Sequence, residues 1–312
     1  LSSTGPRDLP AGITSVCGNL FDMTSLAATP KPRTAVLVST SDTIVSDNQI
    51  YVRGGLAAEV TGICVQEPAL NLSIHDNLIR DCGRGLVTSR ASSRVAEVID
   101  ATTFAPQPGQ VPLERRQSHR YRGWNLVWVK SGSPAERSVV TDFDPETCRF
   151  TLAAAREMRP GDVFEVYPPY GANWSLHSNT ITGCAQPVLL ESYGSVTSVF
   201  RSNTVTRGEA TGVRDAIRVA GQYPLNDNLV SGFDEAGSAA LSLTPDASGR
   251  TSGGVCRRNT FERCATVVRE APAGLWEKCL AEGNLFVDCG AVPGTAGTAG
   301  TRGGAEPGRT PP

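Results

Sequence analysis

Apolar residues alternate with polar ones over short stretches of this chain, then break at Asn, Asp or Gly. Leu72-Ser-Ile-His75, Thr180-Ile-Thr182 and Val188-Leu-Leu190 are typical. A period of two is the signature of a strand with one face buried, and it puts Ile74, Ile79 and Leu86 inside. No window shows apolar residues at helical spacing. One phrase recurs: an Asn, an aliphatic or aromatic residue two positions on, and often a Cys at the fifth. It reads Asn77-Leu-Ile-Arg-Asp-Cys82, Asn179-Thr-Ile-Thr-Gly-Cys184, Asn259-Thr-Phe-Glu-Arg-Cys264 and Asn284-Leu-Phe-Val-Asp-Cys289, with weaker copies at Asn19, Asn48, Asn203 and Asn228. The Asn-to-Asn steps are 29, 29, 102, 24, 25, 31 and 25.

A repeat of that length built from short strands predicts a parallel β-solenoid, in which one unit cannot bury its apolar face and stacking neighbours does. The fold class read from the chain is all-β: a right-handed parallel β-helix of about eight rungs carrying a small inserted antiparallel β-barrel or sandwich. Rungs stack roughly 4.8 Å apart, so a residue recurring at one place in the rung touches its own copies. Stacked Asn side chains then bond one another and cap turn carbonyls. By the same logic Cys82, Cys184, Cys264 and Cys289 form an inward column of small apolar thiols. Nine cysteines cannot all pair within one chain, and one bridge among Cys256, Cys264 and Cys279 is left open.

The 102-residue step holds an additional module, from about Arg94 to Tyr170. Hairpin-like strands are predicted at Arg94–Ile99, Trp124–Lys130, Arg137–Phe143, Cys148–Leu152 and Val163–Tyr167, separated by turns such as Ser131-Gly-Ser-Pro134 and Arg159-Pro-Gly-Asp162. The segment carries nine of the 19 aromatic residues, enough to fill a small barrel. The expected organisation is 1–92 as N-terminal rungs with residues 1–16 as a cap, 93–172 as the module, 173–290 as C-terminal rungs and 291–312 as a disordered Gly/Pro/Thr tail.

With 29 Lys and Arg against 31 Asp and Glu, the net charge is −2, which argues against a nucleic-acid partner. No apolar run is long enough to span a membrane. The chain opens with neither Met nor a signal-peptide pattern, which suggests a processed or trimmed end. Basic residues are almost all Arg, a bias typical of GC-rich bacterial genomes.

Candidate chemistry lies at the corners. Arg207–Asp215 and Gly232–Ser238 are the longer corners of two consecutive rungs, so they project side by side with Glu209, Asp215, Asp234 and Glu235, and with Arg207 and Arg214 interleaved. Glu191 faces out one rung above, and Arg218 follows on the next strand. Clustered carboxylates suit glycoside hydrolysis, which needs an acid and a base or nucleophile across one bond; Arg can orient sugar hydroxyls. His75 and His177 both precede the ladder Asn by two residues and are expected to stack, outward-facing and beside the barrel. Tyr121, Trp124 and Trp128 are candidates for a sugar-stacking platform. No CxxC pair or His cluster points to a metal, and no motif points to a cofactor.

The Asn-x-Ile/Phe/Val phrase with its Cys resembles right-handed parallel β-helix proteins of the pectate-lyase-like superfamily, over roughly 40–92 and 173–290. A β-helix interrupted by a small barrel, with Arg159-Pro-Gly-Asp-Val-Phe164 leading into Trp174-Ser-Leu-His-Ser-Asn179, is similar to glycoside hydrolase family 110. That resemblance implies an α-galactosidase using acidic residues on the helix, though no acidic motif matches residue by residue. The expectation is a secreted or envelope-associated bacterial protein acting on a poly- or oligosaccharide, foremost as a glycosidase. A non-catalytic glycan-binding or structural β-helix and a polysaccharide lyase are the alternatives. The oligomeric state is left open.

Overall fold

The computed structural model describes residues 13–24, 32–53, 60–66, 69–89, 92–108, 121–129, 136–169, 171–191, 197–221, 223–245 and 254–292. Residues 1–12 of the cap expected over 1–16, the turn at 131–134 and residues 293–312 of the expected tail lie outside them.

The chain winds into a parallel β-helix. Among the described residues two eight-stranded sheets and one seven-stranded sheet run along it; the first seven rungs contribute one strand to each sheet in turn, and the last contributes only to the first two. The rung after the first long step, for example, uses Trp174–His177 for the first sheet, Thr180–Thr182 for the second and Gln186–Glu191 for the third. Alternation sends Ile74, Ile79, Leu86, Leu176, Ile181 and Val188 into one continuous core, each fully buried.

The corner between the first and second sheets repeats in every rung. Its Asn is buried from Asn48 to Asn259, and each Nδ2 donates to the Oδ1 of the next Asn at 2.9–3.1 Å. The same Oδ1 also accepts the preceding Asn's backbone N–H, as from Asn77 to Asn179, and the second amide hydrogen goes to a carbonyl of the rung before, as from Asn179 to Ile74 at 3.0 Å. A buried amide with all its groups paired costs little and fixes the register. The residue ahead of each Asn turns the corner with positive φ: Gly18, Asp47, Asp76, Ser178, Ser202, Asp227, Arg258 and Gly283. Asp, Asn and Gly are the residues that tolerate this backbone best.

The third-sheet strands start close against their neighbours. A Cβ on Gly85 would stand 2.3 Å from the Pro187 carbonyl oxygen and 2.7 Å from Ile181 Cγ2, so this position takes glycine because backbone and side chain already fill the space.

Between the third-sheet strand Arg84–Ser89 and the first-sheet strand Trp174–His177 sits a closed antiparallel barrel of six strands. Five match the strands expected from the sequence; Thr103–Pro106 is the sixth, which the sequence reading lacked because its one aromatic, Phe104, sits in a four-residue run that ends in Pro106. Phe104, Tyr121, Phe143, Phe150, Phe164 and Trp128 fill its centre, and Leu70 packs against both this core and that of the helix.

All nine cysteines are free thiols, so the bridge left open among Cys256, Cys264 and Cys279 is not formed. Cys82, Cys184 and Cys264 are buried, and their thiols donate to the carbonyl two residues back at 3.4–3.5 Å, as does that of Cys289. The column is interrupted over two rungs, where Gly208 and Phe233 take the fifth place after Asn203 and Asn228. Burial and the neighbouring Cys289 push the Cys264 thiol up to about 12, which makes it an inert packing group.

Candidate functional site

The two long corners meet as their spacing predicts. Each is rooted in the core by one apolar residue, Val213 in the first and Phe233 in the second. The second corner is closed by Ser238, whose Oγ donates to the carbonyls of Phe233 and Glu235, both at 2.7 Å. Across the pair, Ala239 N–H donates to the Arg214 carbonyl at 2.8 Å and Gly212 N–H to Glu235 Oε2 at 2.8 Å. Arg207 reaches over the gap to Glu235 at 2.5 Å and Asp234 at 3.2 Å, while its buried Nε has no hydrogen-bond partner among the described residues. The carboxylates therefore do not face one another across open space: an arginine lies between the corners and holds two of them.

Asp215 begins the third-sheet strand Asp215–Ala220. It is the most enclosed of these acids, with 15% of its side chain exposed, and it is paired with Arg269. Arg269 also donates to the Gly237 carbonyl, tying the next rung to the corner. Sequence reasoning missed Arg269. Its signal was the alternation of Val268–Glu270, which turns Val268 toward the core and Arg269 out, in register with Ser242 and then Arg218. Arg218 is exposed in that outer row. Glu209 and Arg214 are exposed on the first corner, and Glu209 makes no ion pair among the described residues.

Glu191 does not join this cluster. It is one rung away, but it pairs with Ala220 at the far end of the strand that Asp215 begins, about 16 Å along at 3.3 Å per residue. Trp124 and Trp128 are likewise displaced from the expected role: with 7% and 1% exposure their faces are spent on the barrel core. Trp128 contacts Phe104 and Phe164, carries Arg156 over its ring at 4.2 Å and donates Nε1–H to Ser138 at 3.1 Å. Tyr121, 1% exposed, packs edge-on to Trp124 and Phe143. None presents a ring to a sugar, because a small barrel has no other bulk with which to fill its centre.

His75 and His177 do stack, with ring centroids 4.8 Å apart and 3° between planes. They lie at the Asn corner, however. The second-sheet strands separate them from the loop pair, and the barrel enters at the opposite end of the first-sheet strands. Burial, followed by His75 and Arg201, holds the His177 imidazole below its ordinary range, with Asp76 opposing. His75 Nδ1 is 2.7 Å from Asp76.

Among the described residues no three His, Cys, Asp or Glu side chains converge as metal ligands, and no helix is long and apolar enough to cross a membrane.

No protein-family model and no curated protein matches the chain. Among solved structures it is similar to the Gp54 tailspike of Acinetobacter baumannii bacteriophage AP22, determined in complex with A. baumannii capsular saccharide, at 10% identity and a TM-score of 0.26 over 80% of this chain and 48% of the tailspike. The chain thus spans about half the length of that protein, and a likeness at this level bears on neither ligand nor activity.

Proposed function

We propose that this protein is a saccharide-binding β-helix, whose ligand lies on the outer face of the third sheet against the wall made by the corners 207–215 and 232–238. The observation that carries the reading is the Arg207 clamp on Asp234 and Glu235 beside the Asp215–Arg269 pair. It fixes guanidinium donors and carboxylate acceptors in set directions on a rigid, solvent-facing edge. Vicinal sugar hydroxyls are donor and acceptor at once, and such fixed forks match them in pairs. An extended polymer also suits a face that repeats along one axis.

Hydrolysis is the second reading. It requires a protonated acid at a leaving oxygen and a second carboxylate across the bond. Asp215, Asp234 and Glu235 are each engaged by an arginine, and Glu209 is the acid of the loop pair without one among the described residues, so Glu209 is the group on which hydrolysis would turn. The α-galactosidase expectation falls under this reading.

The test is calorimetric titration with neutral and acidic oligosaccharides, run alongside a reducing-end assay. Binding without cleavage, lost in Arg207→Met at an unchanged Tm, is the expected result. Release of reducing ends that stops in Glu209→Gln would move the assignment to the hydrolase, and no binding to any saccharide would overturn both.

A further inference from the structure

In the middle of the Asn corner two serines stand between rungs whose corner residue is Asp. Over five successive rungs the outward residue that ends the first-sheet strand and the corner residue after it read Ser46-Asp47, His75-Asp76, His177-Ser178, Arg201-Ser202 and Asn226-Asp227, between Cys17-Gly18 on one side and Arg257-Arg258 and Glu282-Gly283 on the other. The corner residue has positive φ in all five, a conformation that Asp and Asn enter more readily than Ser. Backbone preference therefore explains the three aspartates and not the two serines. The serines stand in the two rungs where the outward residues are His177 and Arg201. An acid is missing from the corner beside His177 and Arg201, as it is beside Arg257, but Arg257 is paired with Glu282 of the following rung at 3.3 Å.

The geometry of those two rungs is closely defined. His177 is in register with Arg201, one rung apart at about 4.8 Å, and Ser178 N–H donates to the Arg201 carbonyl at 3.2 Å, so Ser178 and Ser202 stack in the same way. The His177 Nδ1 edge is turned to Ser178 Oγ at 3.2 Å, while Nε2 makes no hydrogen bond among the described residues. Arg201 is exposed and makes no ion pair among them. The flanking acids are occupied: Asp76 by His75 at 2.7 Å, and Asp227 by a two-pronged contact from Arg258 at 2.7 and 2.9 Å.

We propose that His177, Ser178, Arg201 and Ser202 form an oxyanion-binding site that takes the carboxylate or sulfate group of an acidic saccharide. A guanidinium, an imidazole N–H and two hydroxyls on adjacent rungs supply donors from one side, the arrangement an oxyanion accepts best. The site is distinct from the loop pair, with the second sheet between them. Its saccharide half rests on the function proposed above; its oxyanion half does not. Binding strengthens as His177 takes up a proton, against His75 and with Asp76 on one side, and against Arg201 and with Asp227 on the other.

The chain has three histidines, so imidazole C–H signals in the full-length protein can be followed one by one. The titrants are sodium sulfate, an oligogalacturonate and a neutral oligogalactoside, with sodium chloride at matched ionic strength as reference. The expected result is that sulfate and oligogalacturonate both shift the His177 signal and raise its titration midpoint. Arg201→Ala weakens this roughly tenfold or more. Ser202→Asp, which restores the acid of the neighbouring rungs, abolishes it while the fold signals stay dispersed. A response to sulfate but not to oligogalacturonate would overturn the saccharide half. A His177 shift no larger than that from chloride, or one unchanged in Arg201→Ala, would overturn the site. Neutral-sugar binding seen calorimetrically with His177 silent would leave the loop-pair reading standing and this one rejected.

Discussion

His75 and His177 lie ring on ring, 4.8 Å between centroids, although the whole barrel separates them in sequence. Partial burial, then the stacked His75 and Arg201, disfavour a proton on His177, with Asp76 opposing them. The unfolded chain therefore protonates this residue near the ordinary value of 6.5, while the folded chain waits for a lower pH. Protons bound only by the unfolded state destabilise the fold, so stability is flat above pH 6.5 for this group and falls as pH drops from there toward the folded midpoint. His177→Gln should flatten that acid-side slope in urea midpoints measured against pH. Removing either opposing neighbour, as in His75→Gln or Arg201→Gln, should raise the His177 midpoint by NMR; an unmoved midpoint in both would leave burial as its sole cause.

The ladder at Asn179 is a sharper test of what holds the rungs in register. Asn179→Ala strands the Nδ2 and backbone N–H of Asn77, both of which donate to Asn179 Oδ1. Each buried donor left without a partner costs about 1–3 kcal/mol, so a loss of several kcal/mol is expected from chemical denaturation. Asn19→Ala removes the first member of the same ladder, which is exposed and strands no donor before it. Its cost should be under about 1 kcal/mol. Equal costs at the two positions would mean the ladder is not what fixes the stack.

Trp128→Ala should destabilise the protein by about 3–5 kcal/mol, the usual price for emptying an aromatic site in a core, because Trp128 is 1% exposed and touches Phe104 and Phe164. Trp128→Phe keeps most of that packing. Saccharide affinity in the Phe variant should equal that of the parent by calorimetry, and a marked loss there would return the barrel to the list of binding surfaces.

The fold was readable because a solenoid writes its geometry as a period: each Asn had to meet its copies, and the spacing alone placed His75 against His177 and the corner 207–215 against 232–238. The site was less readable, for reasons particular to each residue. Glu191 and Asp215 are on neighbouring rungs, but the period says which rung a residue occupies and not how far along the strand it lies. Trp124 and Trp128 look alike whether they fill a barrel or line its surface, since aromatic content is the same in both. Arg269 escaped notice because its partner Asp215 is two rungs away, and a long arginine crosses that gap where a pattern of neighbours does not predict it.

Arg207 joins the two corners, and its removal separates the functional readings from one another. The contacts are partly exposed, with 23% of the Arg207 side chain and 32% of that of Glu235 open to solvent, so the ion pairs themselves contribute at most about 1 kcal/mol. Arg207→Met should therefore leave Tm nearly unchanged while loosening residues 207–215, visible as faster amide exchange at Gly212, whose N–H is held by Glu235 at 2.8 Å. Glu235→Gln should loosen the same amide less, since its side-chain oxygen still accepts. If binding depends on fixed donors and acceptors, saccharide affinity falls in the order parent, Glu235→Gln, Arg207→Met, in step with Gly212 exchange. Affinity that drops in Glu235→Gln with Gly212 exchange unchanged would instead mean that the carboxylate charge, and not the rigidity of the corner, is what the ligand reads.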